Sequence, residues 1–475
     1  MDSAAHSPQD SPQVVTGTGG TGGMGVFDAL VIGGGIAGLQ TALDLADQGY
    51  SCAVVEKDAS IGGAMIRLSK VFPTLDCASC ITTPKMAAAA HHEKITLLTC
   101  CDVDRLERVN ADEDGGSLVA TLTQRPRHVD IEACIGCRKC EYACPVLTPD
   151  AEQGGFSGRK AIRIPFSNAI PQKAVLDVEH CMLCGKCAEV CPTQAIRYDQ
   201  KPEQLRLEAR AAVLATGFRL SPVADKRQYG LGAIPNVIDS LQMERLLAPH
   251  GPYGRVLRPS DGMIPDSIAY VQCAGSRDAS MGVGYCSRVC CMYAIKQAML
   301  LSGSLPLADI TIYYMDIRAF GKNYEQFYQN AKAMGIEFVK AKVASLDPTE
   351  GGAVTVHYED QTGAGVATRE HDLVVLSMGM LPGWQPGQVC PVAIAADGFI
   401  DTVAPKTLPS LTAMPGVFVA GAAAGPKDIV DTITEAGGAA MQAAKYLAAR
   451  AANAGLARTP QARTEKASIQ EASHG

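Results

Sequence analysis

Cysteines at two matching sets of positions carry the first chemistry of this chain. Residues 134–145 read CIGCRKCEYACP and residues 181–192 read CMLCGKCAEVCP. Each run is C-x2-C-x2-C-x3-C-P, in which three closely stepped thiolates take one [4Fe-4S] cube and the fourth serves the other cube. That pattern groups Cys134, Cys137, Cys140 and Cys191 on one cluster, and Cys181, Cys184, Cys187 and Cys144 on the second. A zinc site usually takes its cysteines as two separated pairs and does not ask for the third, evenly spaced ligand. A further set stands at Cys273, Cys286, Cys290 and Cys291. Four thiols within nineteen residues, beside the end of a strand, suggest a third iron–sulfur cluster of irregular geometry. The competing reading is a group of buried structural cysteines.

Two more thiols, Cys77 and Cys80, form C-x2-C in VFPTLDCASCITTPKM. A pair of this spacing is a redox disulfide, half of a metal site, or inert. Its place shortly after a glycine loop resembles that of the redox cysteines in disulfide-reducing flavoproteins, which would set it facing a flavin. Cys52, Cys100, Cys101 and Cys390 read as structural.

The second chemistry is dinucleotide binding. FDALVIGGGIAGLQTALDLADQGYSCAVVEK, residues 27–57, is β-α-β in outline, with strands at 28–32 and 51–55 and a helix at 39–48. Gly33, Gly35 and Gly38 make G-x-G-x-x-G: a tight turn, a close approach to pyrophosphate, and close packing of helix on strand. Free N–H groups at the helix start favour the phosphates. Glu56, followed by Lys57, ends the second strand where a ribose hydroxyl would be bound. Gly62 and Gly63 supply a second phosphate-contacting loop, which points to FAD rather than NAD. AAVLATGF, with Ala215, Thr216 and Gly217, and GVFVAGAAAGPKDI, with Gly421, resemble later FAD-contacting segments of two-dinucleotide flavoproteins. That family commonly has an acid where this chain has Ala422, and Asp428 is the candidate to compensate.

A second β-α-β unit is expected in residues 267–317, with its helix over 285–301. Its loop reads Cys273-Ala-Gly-Ser-Arg in place of the phosphate glycines, so no nicotinamide site is expected there. Lys296 lies on that helix, about 140° round from Cys291 and about 120° from Cys290. One reading sets this cation beside the flavin N1 or N5; the other lets it snorkel to solvent.

These elements divide an α/β chain of 475 residues. Residues 1–25 and 452–475 read as loose tails. The FAD-binding domain takes 26–126, 205–262 and 381–451. The ferredoxin segment, 127–204, is an insertion, and 263–380 forms a pseudo-nicotinamide domain. The connecting stretch GRKAIRIPFSNAIPQKAV is expected to lie on the parent domain as a clamp. A net charge of −7 leaves no footprint for nucleic acid. Neither a secretory signal nor a run of about 18 apolar residues stands out. Cysteines in ligand spacings imply a reducing, cytoplasmic setting.

Together, FPTLDCASCITTPKM, the twin cysteine runs, NVIDSLQMERLL, RPSDG, QCAGSRD, YCSRVCCMYAIKQA, DIRAFGKNYEQFY and AGAAAGPKDI resemble the A subunit of heterodisulfide reductase over about residues 27–450. The resemblance implies a two-dinucleotide-binding, thioredoxin-reductase-like flavoprotein with an inserted bacterial-type 2[4Fe-4S] ferredoxin domain. It implies an electron-transfer role, including the electron-bifurcating form, with B- and C-type iron–sulfur subunits, a hydrogenase- or dehydrogenase-linked donor, and ferredoxin as partners. Methanogen members usually carry an extra N-terminal domain and a C-terminal ferredoxin region, neither of which is in this sequence. The shorter form is similar to A-type subunits of sulfur- and sulfate-metabolising bacteria, including the flavoprotein of quinone-interacting membrane-bound oxidoreductase. That branch often lacks the D-C-x-x-C kept here at 76–80. The alternatives to a heterodisulfide-reductase-like subunit are this quinone-linked flavoprotein and a self-contained NAD(P)H-dependent reductase.

Overall fold

The computed structural model describes residues 25–109, 116–363, 365–387 and 389–458. Its first sheet is built around the apolar strand Gly25–Ile32. Cys52–Val55 and then Ile95–Leu98 lie parallel on one side of that strand. On the other side runs the long strand Glu203–Leu214, whose second half pairs with it in parallel. The first half of Glu203–Leu214 pairs antiparallel with Ser117–Gln124, which in turn pairs with Cys101–Val109. Val417–Val419 completes the sheet. Every residue of Cys52–Val55 is buried, as a parallel strand covered on both faces requires. Ile36–Asp47 and the helix Ile429–Arg458 cover one face, meeting through Ala42, Ala436, Ala439, Ala440 and Ala443. That last helix runs past residue 452, so the loose C-terminal tail does not begin there. The N-terminal tail, and the C-terminal one beyond 458, lie outside the described residues.

Gln124 and Glu203 are direct cross-strand partners. The chain leaves and re-enters the sheet at adjacent points, so the whole segment between them is an insertion that costs the parent sheet nothing. The insertion has its own core, including Val129, Ile162, Ile164, Leu176 and Ile196 around Cys134, Cys140, Cys144 and Cys187. Its connecting stretch does lie on the parent: Phe166 and Ile170 pack against the first core, Ser60 Oγ exchanges hydrogen bonds with Ile170, and Asn168 Nδ2 donates to Thr83 Oγ1 at 2.6 Å.

The second sheet runs in the order Val237–Asp239, Leu373–Met378, Ser267–Ala274, Asp309–Tyr314, Glu337–Pro348, Val354–Asp360, Gly365–His371. It therefore draws in residues before 263, with Ser240–Leu247 as a further helix, closed at its start by an Asp239–Gln242 capping box.

A turn of the insertion binds this second body as well. Arg245 reaches Gln153 Oε1 through two nitrogens at 3.1 and 3.0 Å. Gln242 Nε2 donates to Gly154 O, and Tyr253 OH to Phe156 O. Arg67 of the first body pairs with Glu152 at 2.9 Å. The insertion thus touches both sheets.

Candidate flavin and iron–sulfur site

The glycines of the first loop are each required for a different reason. Gly33 has φ +110° and a Cβ there would stand 2.3 Å from Ala215 O. A Cβ on Gly38 would stand 1.9 Å from Gly33 O, so helix and strand meet only through hydrogen. A Cβ on Gly35 would meet Gly63 Cα at an ordinary 3.8 Å, so what Gly35 leaves clear is room for a ligand, while Gly62 N donates to Gly34 O at 2.8 Å. The two glycine loops thus lie against each other and leave a bare, N–H-rich slot at the start of Ile36–Asp47, the shape a pyrophosphate needs. Glu56 is buried; its Oε2 accepts from Gly34 N at 2.7 Å and its Oε1 from Asp58 N at 2.8 Å. Burial pushes its carboxyl up, against those two hydrogen bonds. Lys57 offers its carbonyl to Arg125. Ala215 N donates to Ile32 O at 2.8 Å, and Gly217 and Gly421 take left-handed φ of +67° and +65°. Ala422 is buried behind this last turn. Asp428 is committed elsewhere: its oxygens accept from Tyr324 OH at 2.6 Å and from Asp431 N at 2.8 Å, starting the final helix.

In the insertion, one cavity is lined by Cys134, Cys137, Cys140 and Cys191. The fourth cysteine of the second run thus stands with the first three of the first run. Cys181, Cys184 and Cys187 gather near Tyr198, whose hydroxyl lies 3.1 Å from Cys187 Sγ. Left-handed residues make these tight loops, with φ of +69° at Gly136, +61° at Arg138 and +76° at Gly185. Among the described residues no three metal-binding side chains close on a point tightly enough for a single ion. The donor set is all sulfur, the ligand an iron–sulfur cluster takes.

The four cysteines of the third set also come together, since Cys273, Cys286 and Cys291 all act on the Cys290 thiol. The helix that carries them is shorter than the sequence suggested. It spans Cys290–Ser304, so Cys286 lies in the preceding loop and does not share a helix face with Cys290. Arg288 explains the break, because its left-handed φ of +59° cannot be continued as a helix. Cys286 Sγ accepts from Arg288 N instead. Cys273 has φ +59°, and a Cβ on Gly275 would meet Ser221 Oγ at 2.3 Å. Gly275 therefore serves a close approach to the Ser221–Val223 turn and does not open a phosphate slot.

Lys296 does not snorkel. It is 2% exposed, its Nζ pairs with Glu244 and it donates to Lys70 O at 2.9 Å. Burial opposes the ionised carboxylate, yet Lys296, Gln297 and Ser69 hold Glu244 below its usual range. Glu244 was missed in the sequence, although a charge among the buried Met243 and Leu246 is the same signal that marks Lys296. Lys70 forms a bridge with Cys77. Cys77 stands at the N-cap of Ala78–His91, and Cys80 is exposed in its first turn. The Cys80 side chain and N–H, with Ser79 N–H, lower the Cys77 thiol below its ordinary value. Cys52, Cys100, Cys101 and Cys390 are buried, and burial pushes Cys52 and Cys101 up to about 12.

Comparison with known proteins agrees with this geometry. An FAD dependent oxidoreductase family model matches residues 28–77, and a 4Fe-4S dicluster domain matches residues 130–195. Thioredoxin reductase of T. acidophilum superposes with a TM-score of 0.49 at 15% identity, over 90% of this chain and 99% of that one. The A subunit of the H(2)/formate:CoB-CoM heterodisulfide,ferredoxin reductase of Methanococcus maripaludis is 45% identical over 418 residues, 86% of this chain and 63% of that protein. The iron-sulfur A 2 subunit of the CoB--CoM heterodisulfide reductase of Methanopyrus kandleri is 45% identical over 428 residues, 89% of this chain and 64% of that protein. The chain therefore spans somewhat less than two thirds of the length of these relatives. Over the residues so aligned, which hold the flavin loops and the cysteine runs, the chain is similar to the A subunits of heterodisulfide reductases.

Proposed function

We propose that the chain is an FAD- and iron–sulfur-dependent electron-transfer subunit of a heterodisulfide-reductase-like complex. The observation that carries this reading is Cys191 in one cavity with Cys134, Cys137 and Cys140, inside an insertion whose ends pair directly in the flavin sheet. Clusters held there sit in a body anchored to the flavin domain, on a strand that also borders the dinucleotide loop.

FAD, when bound, supplies exchange of electrons in ones or twos. The chain's own residues do the rest. Gly33, Gly35, Gly38, Gly62 and Gly63 admit the pyrophosphate, Glu56 receives the ribose, and Thr216, Gly217 and Gly421 form the far wall. Cys134, Cys137, Cys140 and Cys191 hold one cluster; Cys144, Cys181, Cys184 and Cys187 hold the second; Cys273, Cys286, Cys290 and Cys291 hold a third. Cys77 and Cys80 act as a redox pair, tied through Lys70 to the buried cation Lys296. The loop after Ser267–Ala274 offers no nicotinamide phosphate slot, which favours electron exchange with protein partners over a self-contained pyridine-nucleotide reductase.

The relatives' names attach CoB–CoM heterodisulfide, ferredoxin, and hydrogen or formate to their complexes. For this chain the corresponding partners are B- and C-type iron–sulfur subunits, a hydrogenase- or dehydrogenase-linked donor, and ferredoxin, in the cytoplasm. No helix among the described residues is long and apolar enough to cross a membrane. Purification of the native complex tests the reading. Co-purifying iron–sulfur subunits support it, and a lone chain that reduces a disulfide with NADH at an ordinary enzymatic rate overturns it.

A further inference from the structure

Arg127 is a buried charge without a counter-ion. It is 7% exposed, and among the described residues no carboxylate pairs with it. Its Nη2 donates to Ala59 O at 2.5 Å and to Thr99 Oγ1 at 2.6 Å, and its Nη1 has no partner among the described residues. A guanidinium taken out of water with only neutral acceptors is costly, and such groups are normally matched by an opposite charge. The matching charge is not on a described carboxylate, which points to a group that completes the protein.

Position says which group. Arg127 stands where the chain crosses from the flavin sheet into the insertion. Val129, two residues on, lines the cavity formed by Cys134, Cys137, Cys140 and Cys191. Three thiols act electrostatically on Arg127: Cys100, Cys101 and Cys134. Burial keeps Cys100 and Cys101 protonated, so neither is an anion. Cys134 becomes a thiolate on binding iron, because only the thiolate is a metal ligand. A second cation stands on the same side: Lys173 Nζ donates to Cys134 O at 2.6 Å. A solvent cavity of about 270 Å³ also touches Arg127, between Arg125, Gln200 and Lys201. The unpartnered Nη1 is closed off from solvent, so an anion entering that cavity does not reach it.

We propose that Arg127 is the fixed counter-charge of the cluster on Cys134, Cys137, Cys140 and Cys191, and that it raises the reduction potential of that cluster. Net charge and hydrogen bonding around the sulfurs are the protein's means of setting such potentials. The cluster gains negative charge on reduction, so a nearby buried cation favours the reduced form. Arg127 is a positioning residue with a second tie: Ala59 and Thr99, which it holds, flank the loop that follows Glu56. One side chain thus joins the ribose end of the flavin site to one cluster of the insertion. The inference rests on the ligand set proposed above for that cluster.

The test is an EPR-monitored redox titration of the intact, FAD- and iron-loaded chain. The cluster on Cys134 is first identified by the spectral change in Cys137→Ser. If Cys137→Ser alters no cluster signal, the ligand set itself has failed, which separates that failure from the inference. Arg127→Met and Arg127→Gln, with full iron content, should make that one cluster at least tenfold harder to reduce, a shift of about 59 mV. The other clusters should not move. Arg127→Lys, which keeps the charge and loses the forked hydrogen bonds, should restore most of the potential. An unchanged potential in Gln or Met variants overturns the inference, as does an equal shift in all three variants. Loss of the cluster in all three, Lys included, makes the role structural and also overturns it. If added phosphate shifts the wild-type potential by the same tenfold factor, the counter-ion is a solvent anion, again against the inference.

Discussion

Removing one member of the Lys296–Glu244 pair should cost far more than its share of the pair. Both side chains are almost wholly buried, at 2% and 3% exposure. Breaking such a pair from one side costs about 3–5 kcal/mol, because the remaining charge stays in the interior. The surroundings decide which side costs more. In Lys296→Met, Glu244 keeps three donors: Ser69 N at 2.9 Å, Ser69 Oγ at 2.7 Å and Gln297 Nε2 at 2.5 Å. That places the loss near the lower end, about 3 kcal/mol. In Glu244→Leu, Lys296 keeps a single acceptor, Lys70 O at 2.9 Å, while Ser69 and Gln297 lose theirs. That places the loss near the upper end, about 5 kcal/mol. The double variant has no unpaired charge, only the stranded Ser69 and Gln297 donors at about 1–3 kcal/mol. It should therefore lie several kcal/mol below the sum of the singles. Urea unfolding of the FAD-free, iron-loaded chain, followed by circular dichroism, closes the cycle. Additivity to within about 0.5 kcal/mol would refute the pairing, since only independent sites add so well.

The other predictions concern the cofactors and one histidine. Gly38→Ala should cripple folding, since its Cβ would stand 1.9 Å from Gly33 O, whereas Gly35→Ala should fold and purify without flavin colour. Iron analysis should give about twelve irons per chain, at four per cube, and Cys187→Ser should lose about four while keeping FAD. About eight irons in the parent protein would return Cys273, Cys286, Cys290 and Cys291 to a structural role. Iodoacetamide at limiting concentration should label Cys77 ahead of the buried Cys52 and Cys390; the reverse order would argue against a redox pair. His371 is buried between Ser267 Oγ and Tyr313 OH, and burial with Arg369 lowers it to about 4. Its neutral form is the folded one, so its contribution is complete above the unfolded value near 6.5. As pH falls towards 4 the unfolded chain takes the proton first, and about 3 kcal/mol is lost. A His371→Gln variant should show a flatter stability profile over that window, and a parallel profile would count against the assignment.

What the sequence disclosed, and what it hid, follows from how far each constraint reaches along the chain. The phosphate slot was legible because Gly33, Gly38, Gly62 and Gly63 are demanded by local backbone geometry, and Gly35 stands between them in the same motif. The insertion was legible because ligand spacing is itself local. The break before Cys290 was not, because one left-handed residue, Arg288, ends a pattern that reads as helical on both sides. Lys296 stood out as a cation on an apolar stretch, but its partner lies 52 residues away in sequence and comes from another helix. Arg127 gave no signal, since an unpaired arginine differs from a solvated one only in burial. The partners of Asp428, Tyr324 and Asp431, could not be read from the sequence, because they are set by how the second body docks on the last helix.

Flash reduction of the flavin in the intact chain, with cluster absorbance followed in time, bears most directly on electron transfer between flavin and insertion. Flavin reoxidation and cluster bleaching should share one rate in the wild type, and that phase should vanish in a Cys137→Ser, Cys184→Ser double variant that still binds FAD. Equal flavin reoxidation in both proteins, with no cluster bleaching in either, would contradict it.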